Sequence, residues 1–195
     1  MSQPPSVEKP PGRVFRFSGG ASGRYRVLGS RAVCGDGLET VPWLALTEGP
    51  STPDAACRWS LQGIVSNERY VTRLERERLV SLQAGLGRAS ARHGALIPIR
   101  KNPAWWALTQ EERRAIFEDR SQHIAVGLRA LPQVARRLHH CRDLAEPQGF
   151  DFLTWFDFDP RDAGIFDEML GALRRTEEWS YVDREVEIRV ERVEG

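Results

Sequence analysis

Apolar residues recur along this chain at two spacings, and the spacing predicts which segments form helices and which form strands. In the central segment, Thr109 and Glu112 form a capping box that predicts the start of a helix. Beyond it, apolar residues at helical spacing form one stripe, made of Phe117, Ile124, Leu128 and Leu131. Pro132 interrupts this pattern and is typical of the first turn of a second helix, which is rich in arginine.

Alternating patterns elsewhere predict strands at 13–17, 58–65, 95–100, 150–158 and 186–190. A further helix is expected from about residue 67 to 86, capped by Ser66, and another after Asp159. This order lacks the regular βαβ rhythm of a doubly wound parallel sheet. The order suits an α+β fold in which two ferredoxin-like halves, residues 13–94 and 95–195, meet in an α+β barrel. The polar, proline-rich residues 1–12 are expected to form a flexible arm.

Charge and composition exclude several classes of function. The 195 residues carry a net charge of +1 with interspersed signs, which predicts no nucleic-acid partner and no basic membrane-binding patch. No apolar run is long enough to span a bilayer, and the N-terminal sequence does not resemble a secretory signal. A cytoplasmic location is the resulting expectation. The three cysteines form no CxxC pair and predict no disulfide framework.

Two short motifs contain residues that could bind a zinc ion or a phosphate, but their spacing does not favour either kind of site. His139, His140 and Cys141 are consecutive, and adjacent residues rarely point at one zinc ion, so a structural role is preferred. The glycine cluster of residues 19–23 lacks the lysine and the spacing of phosphate-binding loops and predicts a hairpin turn.

One histidine of the central segment has surroundings suited to a flat cofactor. His123 lies at the edge of the apolar stripe, and Gly127 and Ala130 follow it one and two turns later. Such small neighbours leave a slot against the helix that a planar macrocycle could occupy if the imidazole bound its metal. The simpler interpretation is that His123 pairs with Asp119, one turn earlier.

Several motifs in the same order resemble the chlorite dismutase family, specifically its short-chain, dimeric branch. They are ALIPIRKNPAWW at 95–106, QEERRAIFEDRSQH at 110–123, HCRD at 140–143, DFLTWF at 151–156 and TEEW at 176–179. The resemblance is dense in the C-terminal half and extends thinly to Gln83 and Tyr70. It implies a protein of the dimeric α+β barrel superfamily that binds haem b and forms homodimers.

The resemblance also implies roles for individual residues. His123 would be the proximal iron ligand, Glu178 its hydrogen-bonding partner, and Arg136 the mobile catalytic arginine on the distal side. A carboxylate on the far nitrogen of an iron-bound imidazole fixes its tautomer and raises its basicity. The remaining matches would line the haem edge and propionates or contact the distal arginine; they are Lys101, Trp105, Tyr70 and Gln83.

Without the resemblance, these residues have ordinary interpretations. Arg136 stands beside Arg137 on the predicted second helix, where most arginines are solvated. Glu177 and Glu178 are consecutive, so sequence alone does not decide which one points inward. Trp105 and Trp106 are typical of core or dimer packing, while Tyr70 and Gln83 would pass as amphipathic positions of one helix.

The implied reaction is the conversion of chlorite to chloride and dioxygen at haem iron through a ferryl intermediate. A competing reaction is coproheme decarboxylation, whose branch uses a distal glutamine or histidine and a catalytic tyrosine. Arg136 at the distal position and the absence of tyrosine from the strand before Lys101 favour chlorite as the substrate. A non-catalytic haem-binding module and a haem-free barrel are two further hypotheses for this sequence.

Overall fold

The computed structural model describes residues 13–65, 72–144 and 149–193, and its centre is a closed antiparallel barrel of eight strands. The strands are β1 Val14–Gly20, β2 Tyr25–Cys34, β3 Trp43–Glu48, β4 Cys57–Val65, β5 His93–Lys101, β6 Ala135–His140, β7 Phe152–Phe158 and β8 Val182–Arg192. The helices are α1 Arg73–Leu82, α2 Pro103–Ala107, α3 Gln110–Arg114, α4 His123–Arg129 and α5 Ala163–Leu173. The predicted α+β barrel is confirmed.

The barrel consists of two sheets with the same strand order. Around the barrel the strands run β1-β3-β2-β8-β5-β7-β6-β4, so each half orders its four strands as fourth, first, third, second. This is the order of a ferredoxin-like fold. The halves join at two seams. Eight residue pairs connect β2 to β8, whereas two pairs, Ile64 with His140 and Val65 with His139, connect β4 to β6.

Within the described residues, only the C-terminal half carries helices in both of its crossover connections. Helices α2, α3 and α4 lie between β5 and β6, and α5 lies between β7 and β8. In the N-terminal half, the described residues 13–65 contain four strands and no helix, and α1 follows β4. The division of the chain at residue 94 stays a prediction, and the arm at 1–12 lies outside the described residues.

Alternation along the strands divides the core between the barrel interior and the space under the helices. On β7, Leu153 and Trp155 belong to the interior cluster with Phe17 and Leu96. Phe156 and Phe158 of the same strand instead pack under α5, against residues such as Phe166. Strand β7 thus contributes aromatic side chains to both sides of the sheet.

The prediction of an arginine-rich helix after Pro132 is wrong. Residues Ala135–His140 form strand β6, which pairs with β7 along its whole length and closes the barrel on β4. Backbone hydrogen bonds and burial available only in the assembled barrel outweigh the local preference for a helix. Arg136 therefore lies on a strand, where Arg136 and Arg137 point to opposite faces.

The helix predicted from Thr109 exists in pieces. The capping box of Thr109 and Glu112 begins α3, but a π-helical turn follows at Ala115–Arg120, and Gln122 then adopts a left-handed conformation with φ 51°. His123 consequently begins α4. The apolar stripe survives the interruption: Ile124 and Leu131 pack on Leu79 of α1, with Phe117 and Leu128 against them.

Two further local predictions differ from the structure. Helix α1 begins after Thr72, which is extended and forms its own capping box with Glu75, so the helix does not run unbroken from residue 67. Ser66, the expected cap, lies outside the described residues. The glycine cluster does turn the chain between β1 and β2, but these strands do not pair, because β3 lies between them. Within the described residues, no helix is long and apolar enough to cross a membrane.

Candidate functional site

A buried carboxylate links a histidine to a lysine at the centre of the C-terminal half. Nδ1 of His123 donates a hydrogen bond of 2.6 Å to Oε2 of Glu178. The other carboxylate oxygen, Oε1, accepts from Nζ of Lys101 at 2.8 Å, and the same ammonium donates to the Glu178 carbonyl at 3.1 Å. We refer to these three residues as the carboxylate clamp.

Burial and charge act in opposite directions on the clamp. Burial alone would raise the pKa of Glu178, but the facing His123 and Lys101 lower that pKa to about 2. Burial lowers the pKa of Lys101, and the adjacent Glu178 carboxylate counteracts this effect. The carboxylate is therefore ionised throughout the neutral pH range. Both hydrogen bonds are charge-assisted and fix the imidazole with its proton on Nδ1.

Irregular backbone presents these side chains. Gln122 turns the chain in its left-handed conformation immediately before His123, while Glu178 begins a short 3₁₀ turn at Glu178–Tyr181. The Ser121 hydroxyl accepts a 2.9 Å hydrogen bond from the Glu178 backbone N–H and so joins the two segments. The Phe117 ring stacks on the imidazole at 4.2 Å between centroids, which restricts rotation of His123.

Two adjoining cavities lie between the helices and the outer face of the C-terminal sheet. They measure about 130 Å³ and 120 Å³ and share His123, Ile99, Leu138, Thr154 and Trp179 in their linings. Most of the lining is apolar. The Nδ1 atom of His123 is used by the clamp, which leaves Nε2 as the nitrogen able to bind a metal.

Arg136 borders the second cavity from strand β6. Its Nη1 donates a 3.1 Å hydrogen bond to the Gly127 carbonyl, so the side chain spans from the sheet to α4. Gly127 makes this approach possible, since a Cβ atom there would lie 2.6 Å from Nη2 of Arg136. The side chain of Gln83 contacts the backbone of the same arginine: Nε2 of Gln83 donates to the Arg136 carbonyl at 2.9 Å.

The two tryptophans form one end of the first cavity. Trp105 is buried, and the Lys101 ammonium lies 4.6 Å from the centroid of its ring. Trp106 stacks on Phe152 and donates from Nε1 to Oδ2 of Asp151 at 3.3 Å. Asp151 also accepts a 2.7 Å hydrogen bond from the Lys101 backbone N–H, and this bond ties the tryptophan segment to β5.

The structure gathers most of the candidate residues around one space. His123, Glu178, Lys101 and Trp105 line the first cavity, Arg136 lines the second, and Gln83 contacts Arg136. Tyr70 lies outside the described residues. The alternative prediction that His123 pairs with Asp119 is wrong, because the imidazole bonds to Glu178. The neighbouring Glu177 instead pairs with Arg120 in a partly exposed position.

Sequence reasoning missed three residues that shape the site. Phe117 belongs to the apolar stripe, yet it also stacks on His123. Trp179 lines both cavities and donates from Nε1 to the buried Glu185 at 2.8 Å. Asp151 supports Trp106 and Lys101. Their positions in QEERRAIF, TEEW and DFLTWF, within the motifs of the resemblance, are the signal that could have found them.

The described residues offer no second place for a metal. Among them, no group of three or more His, Cys, Asp or Glu side chains converges as a metal site. His139 lies inside the barrel between Phe15 and Phe17, whereas His140 lines the first cavity on the opposite face of β6. A zinc site at residues 139–141 therefore gains no support.

The donor set fits a haem. A single imidazole backed by an ionised carboxylate is a typical axial ligand arrangement, and the apolar walls suit the faces of a macrocycle. For a planar group to lie between α4 and β6, the Arg136 guanidinium must turn away from the Gly127 carbonyl. The long, unbranched arginine side chain permits this movement.

Comparisons with known proteins agree with this geometry. No protein-family model matches the chain. A chlorite dismutase of Ideonella dechloratans is 30% identical over 127 residues, which are 63% of this chain and 41% of that relative. The chain thus spans less than half the length of this curated relative.

Among solved structures, a dimeric chlorite dismutase from Nitrobacter winogradskyi is 51% identical with a TM-score of 0.85, and the match covers 91% of this chain and 99% of that one. A chlorite dismutase from Candidatus Nitrospira defluvii in complex with imidazole is 24% identical with a TM-score of 0.56, over 69% of this chain and 55% of that one. The second likeness concerns the fold alone.

Proposed function

The chain belongs to the chlorite dismutase family, and we propose from this premise that it is a haem-dependent enzyme that converts chlorite to chloride and dioxygen. The observation that carries the proposal is the hydrogen bond from His123 to the buried, ionised Glu178 beside an apolar cavity. A histidine held in this way is prepared to bind iron through Nε2, with haem b as the cofactor.

The residues around the cavity would have the following roles. His123 holds the iron, and Glu178 keeps the imidazole proton on Nδ1 and increases electron donation through the ring. Lys101 fixes the second oxygen of Glu178, so the carboxylate does not rotate away. Trp105 closes one end of the cavity, and Gln83 holds the backbone of the strand segment that carries Arg136. We assign Tyr70 to the cofactor edge on the resemblance alone.

Arg136 is the proposed catalytic residue. Its guanidinium remains cationic at all physiological pH values and offers several N–H donors to an anion. Once turned into the cavity, it would orient chlorite and retain the transient hypochlorite until both oxygen atoms leave as dioxygen. Bound haem supplies the redox chemistry that breaks the chlorine–oxygen bond. The apolar walls exclude water and strengthen the attraction between guanidinium and anion.

An oxygen electrode tests the proposal directly. The purified chain is loaded with haemin, and chlorite is added; we expect one dioxygen and one chloride for each chlorite consumed. The variant Arg136→Ala should evolve less dioxygen before it inactivates, while its haem absorption spectrum stays close to that of the parent. A haem-loaded parent that evolves no dioxygen would overturn the proposed function.

The cofactor assignment has its own test. His123→Ala should remain folded by circular dichroism but bind haemin weakly and lack the parent's Soret band. A variant that binds haemin with unchanged affinity and spectrum would contradict the role of His123. We further propose that the protein acts as a homodimer in the cytoplasm, in line with the dimeric relative of 51% identity. Analytical ultracentrifugation measures the oligomeric state.

A further inference from the structure

A third cavity lies in the N-terminal half, on the outer face of its sheet. It measures about 220 Å³ and is lined by the side chains of Arg16, Ser18, Thr47 and Ser51 and by the glycine-rich connection 19–23. This lining is rich in hydroxyl groups and contains a guanidinium. The cavities of the C-terminal half have a more apolar lining.

The topology makes this cavity the counterpart of the candidate site. Strands β1 and β3 occupy the places in the first half that β5 and β7 occupy in the second. Phe15 and Phe17 face the barrel interior, so Arg16 and Ser18 face outward, as Ile97 and Ile99 do on β5. The two halves therefore each have a cavity on the outer face of the sheet, and the two cavities differ in the side chains that line them.

Within the described residues, Arg16 is held by two hydrogen bonds to uncharged side chains. Nη1 donates to the Ser60 hydroxyl at 2.9 Å, and Nη2 donates to Oε1 of Gln62 at 2.8 Å. Both acceptors are uncharged. An arginine has five N–H donors, so these two bonds leave three. Nε is buried and has no hydrogen-bond acceptor within the described part of the chain.

Three arginines on strands β2 and β4 differ in this respect. Arg26, Arg31 and Arg58 each form an ion pair with a glutamate. In the segments 13–65, 72–144 and 149–193, no carboxylate lies within ion-pair distance of Arg16. A fixed guanidinium with neutral partners is able to bind an anion through its remaining Nη N–H groups.

The neighbouring hydroxyls have hydrogen atoms to donate. Because the Ser60 oxygen accepts from Arg16, its own O–H can be given to Ser18 at 3.4 Å, which frees the Ser18 O–H for a ligand. Thr47 and Ser51 share a 3.0 Å hydrogen bond that uses one of their two O–H groups. The other remains available. Cationic and hydroxyl donors thus surround the same space.

One acidic residue also lines the cavity. Asp54 belongs to the exposed loop that covers one side, and its Oδ1 accepts a 3.1 Å hydrogen bond from the Ala56 backbone N–H. Its charge opposes the binding of an anion. The two residues therefore predict opposite effects on anion affinity. Removing the charge of Asp54 should strengthen binding, and removing the charge of Arg16 should weaken it.

We propose that the cavity of Arg16, Ser18, Thr47 and Ser51 binds a small inorganic oxyanion, independently of the haem site. Arg16 supplies the charge, and the hydroxyls of Ser18 and of the Thr47–Ser51 pair donate hydrogen bonds to the oxygens of the anion. The site lies on the opposite half of the barrel from His123, so anion binding here needs neither haem nor chlorite turnover.

Calorimetric titration with sodium nitrate, and separately with inorganic phosphate, tests this inference on the full-length chain at constant ionic strength. Binding heat reports every anion site, whereas the Soret band of the haem-loaded protein reports anions that reach the iron. We expect a binding event without a Soret change. Arg16→Gln should weaken it by about tenfold or more, Thr47→Val and Ser18→Ala by smaller factors, and Asp54→Asn should strengthen it.

Arg58→Gln is the matched control, because it removes the same charge from the adjacent strand β4 at a position already paired with Glu39. Its affinity should equal that of the parent. Equal losses in Arg16→Gln and Arg58→Gln would mean general charge attraction and would overturn the site. So would a parent without any binding event apart from the one seen in the Soret band. If Arg16→Gln fails to fold, the Ser18 and Thr47 variants decide the question.

Discussion

At the scale of single residues, Glu178 combines deep burial with two side-chain partners that can carry a positive charge. It is 4% exposed and is the shared partner of an imidazole and an ammonium. Removing one member of a buried ion pair leaves the other charged and unpaired, which costs far more than the pair contributes when intact. The stability of the C-terminal half and the orientation of His123 therefore depend on the same carboxylate.

We expect Glu178→Ala to lower the free energy of unfolding by about 3–5 kcal/mol, because Lys101 loses its partner while it stays buried. Urea denaturation followed by circular dichroism measures the loss. Glu177→Ala is the control and should change stability by less than about 1 kcal/mol, since its pair with Arg120 is partly exposed. Adding Lys101→Met to Glu178→Ala should restore part of the loss. Equal effects of the Glu177 and Glu178 variants would contradict the clamp.

His139 predicts a separate dependence of stability on pH. Burial in the barrel, together with the neighbouring charges of Arg137 and His140, lowers its pKa to about 4, although a hydrogen bond to the Leu153 carbonyl acts in the other direction. The unfolded chain, with a histidine pKa near 6.5, takes up a proton first. Stability is therefore fully present above about pH 6.5 and falls by up to about 3 kcal/mol as the pH drops towards 4.

The variant His139→Phe should flatten this part of the profile, because phenylalanine does not titrate. Denaturation midpoints measured between pH 4 and 7 would reveal the difference. His93→Gln serves as the control and should retain the slope of the parent. The effect of Glu178 falls in another window, since its stabilisation is lost only as the pH falls below about 4.5 towards 2. Equal slopes for the parent and His139→Phe between pH 7 and 4 would refute the prediction for His139.

Residues of the site were predictable to different degrees. The position of His123 beside small residues could be seen in its own segment, but the choice between Glu177 and Glu178 depended on the family resemblance. The 3₁₀ turn begins at Glu178, directly after Glu177, and its backbone decides which carboxylate meets His123, 55 positions away. Such a contact follows from the assembled fold and not from local pattern.

At the scale of elements, the interruption of the helix before His123 determines where the imidazole lies in the candidate site. Local signals identify its start at Thr109 and its apolar stripe, but they do not reveal the π-helical turn or the left-handed Gln122. The prediction of a helix at strand β6 fails for a related reason, because its pairing with β7 and β4 exists only in the closed barrel. Both errors concern backbone that tertiary contacts determine.

Substitution of Gln122 tests the importance of the break. Gln122→Val should destabilise the protein by about 1–2 kcal/mol or more, because a β-branched residue fits poorly at φ 51°. Its affinity for haemin should fall as well, since His123 follows directly. Gln122→Gly should remain close to the parent in both measurements. Gln110→Val makes the same chemical change in regular helix and should cost less than about 1 kcal/mol; a similar loss there would argue against a special role for residue 122.

At the scale of the whole molecule, the two seams of the barrel differ in extent. The predicted order of strands and helices suits two ferredoxin-like halves, although it lacks strand β6, which was predicted as a helix. It did not predict how the halves join. Eight residue pairs hold β2 to β8, but two hold β4 to β6, and β6 carries Arg136.

We expect faster amide hydrogen exchange along the β4–β6 seam than along the β2–β8 seam, because fewer neighbouring hydrogen bonds must open together. Mass spectrometry of peptides that cover 57–65 and 135–140 would measure the first seam, and peptides from 25–34 and 182–192 the second. Each of β4 and β6 keeps a full set of bonds to its other neighbour, so partial protection should remain. Equal protection at both seams would show that the shorter pairing does not weaken the barrel.

The seclusion of the carboxylate clamp has a consequence for the media in which this protein can work. Dissolved electrolytes screen charges that they can approach, and the exposed pairs such as Arg58 with Glu39 weaken as salt is added. Glu178 and Lys101 are almost entirely enclosed, so mobile ions cannot come between them. A concentrated salt solution should therefore weaken the exposed ion pairs of the surface, whereas the buried Glu178–Lys101 pair should continue to hold the His123 imidazole in place.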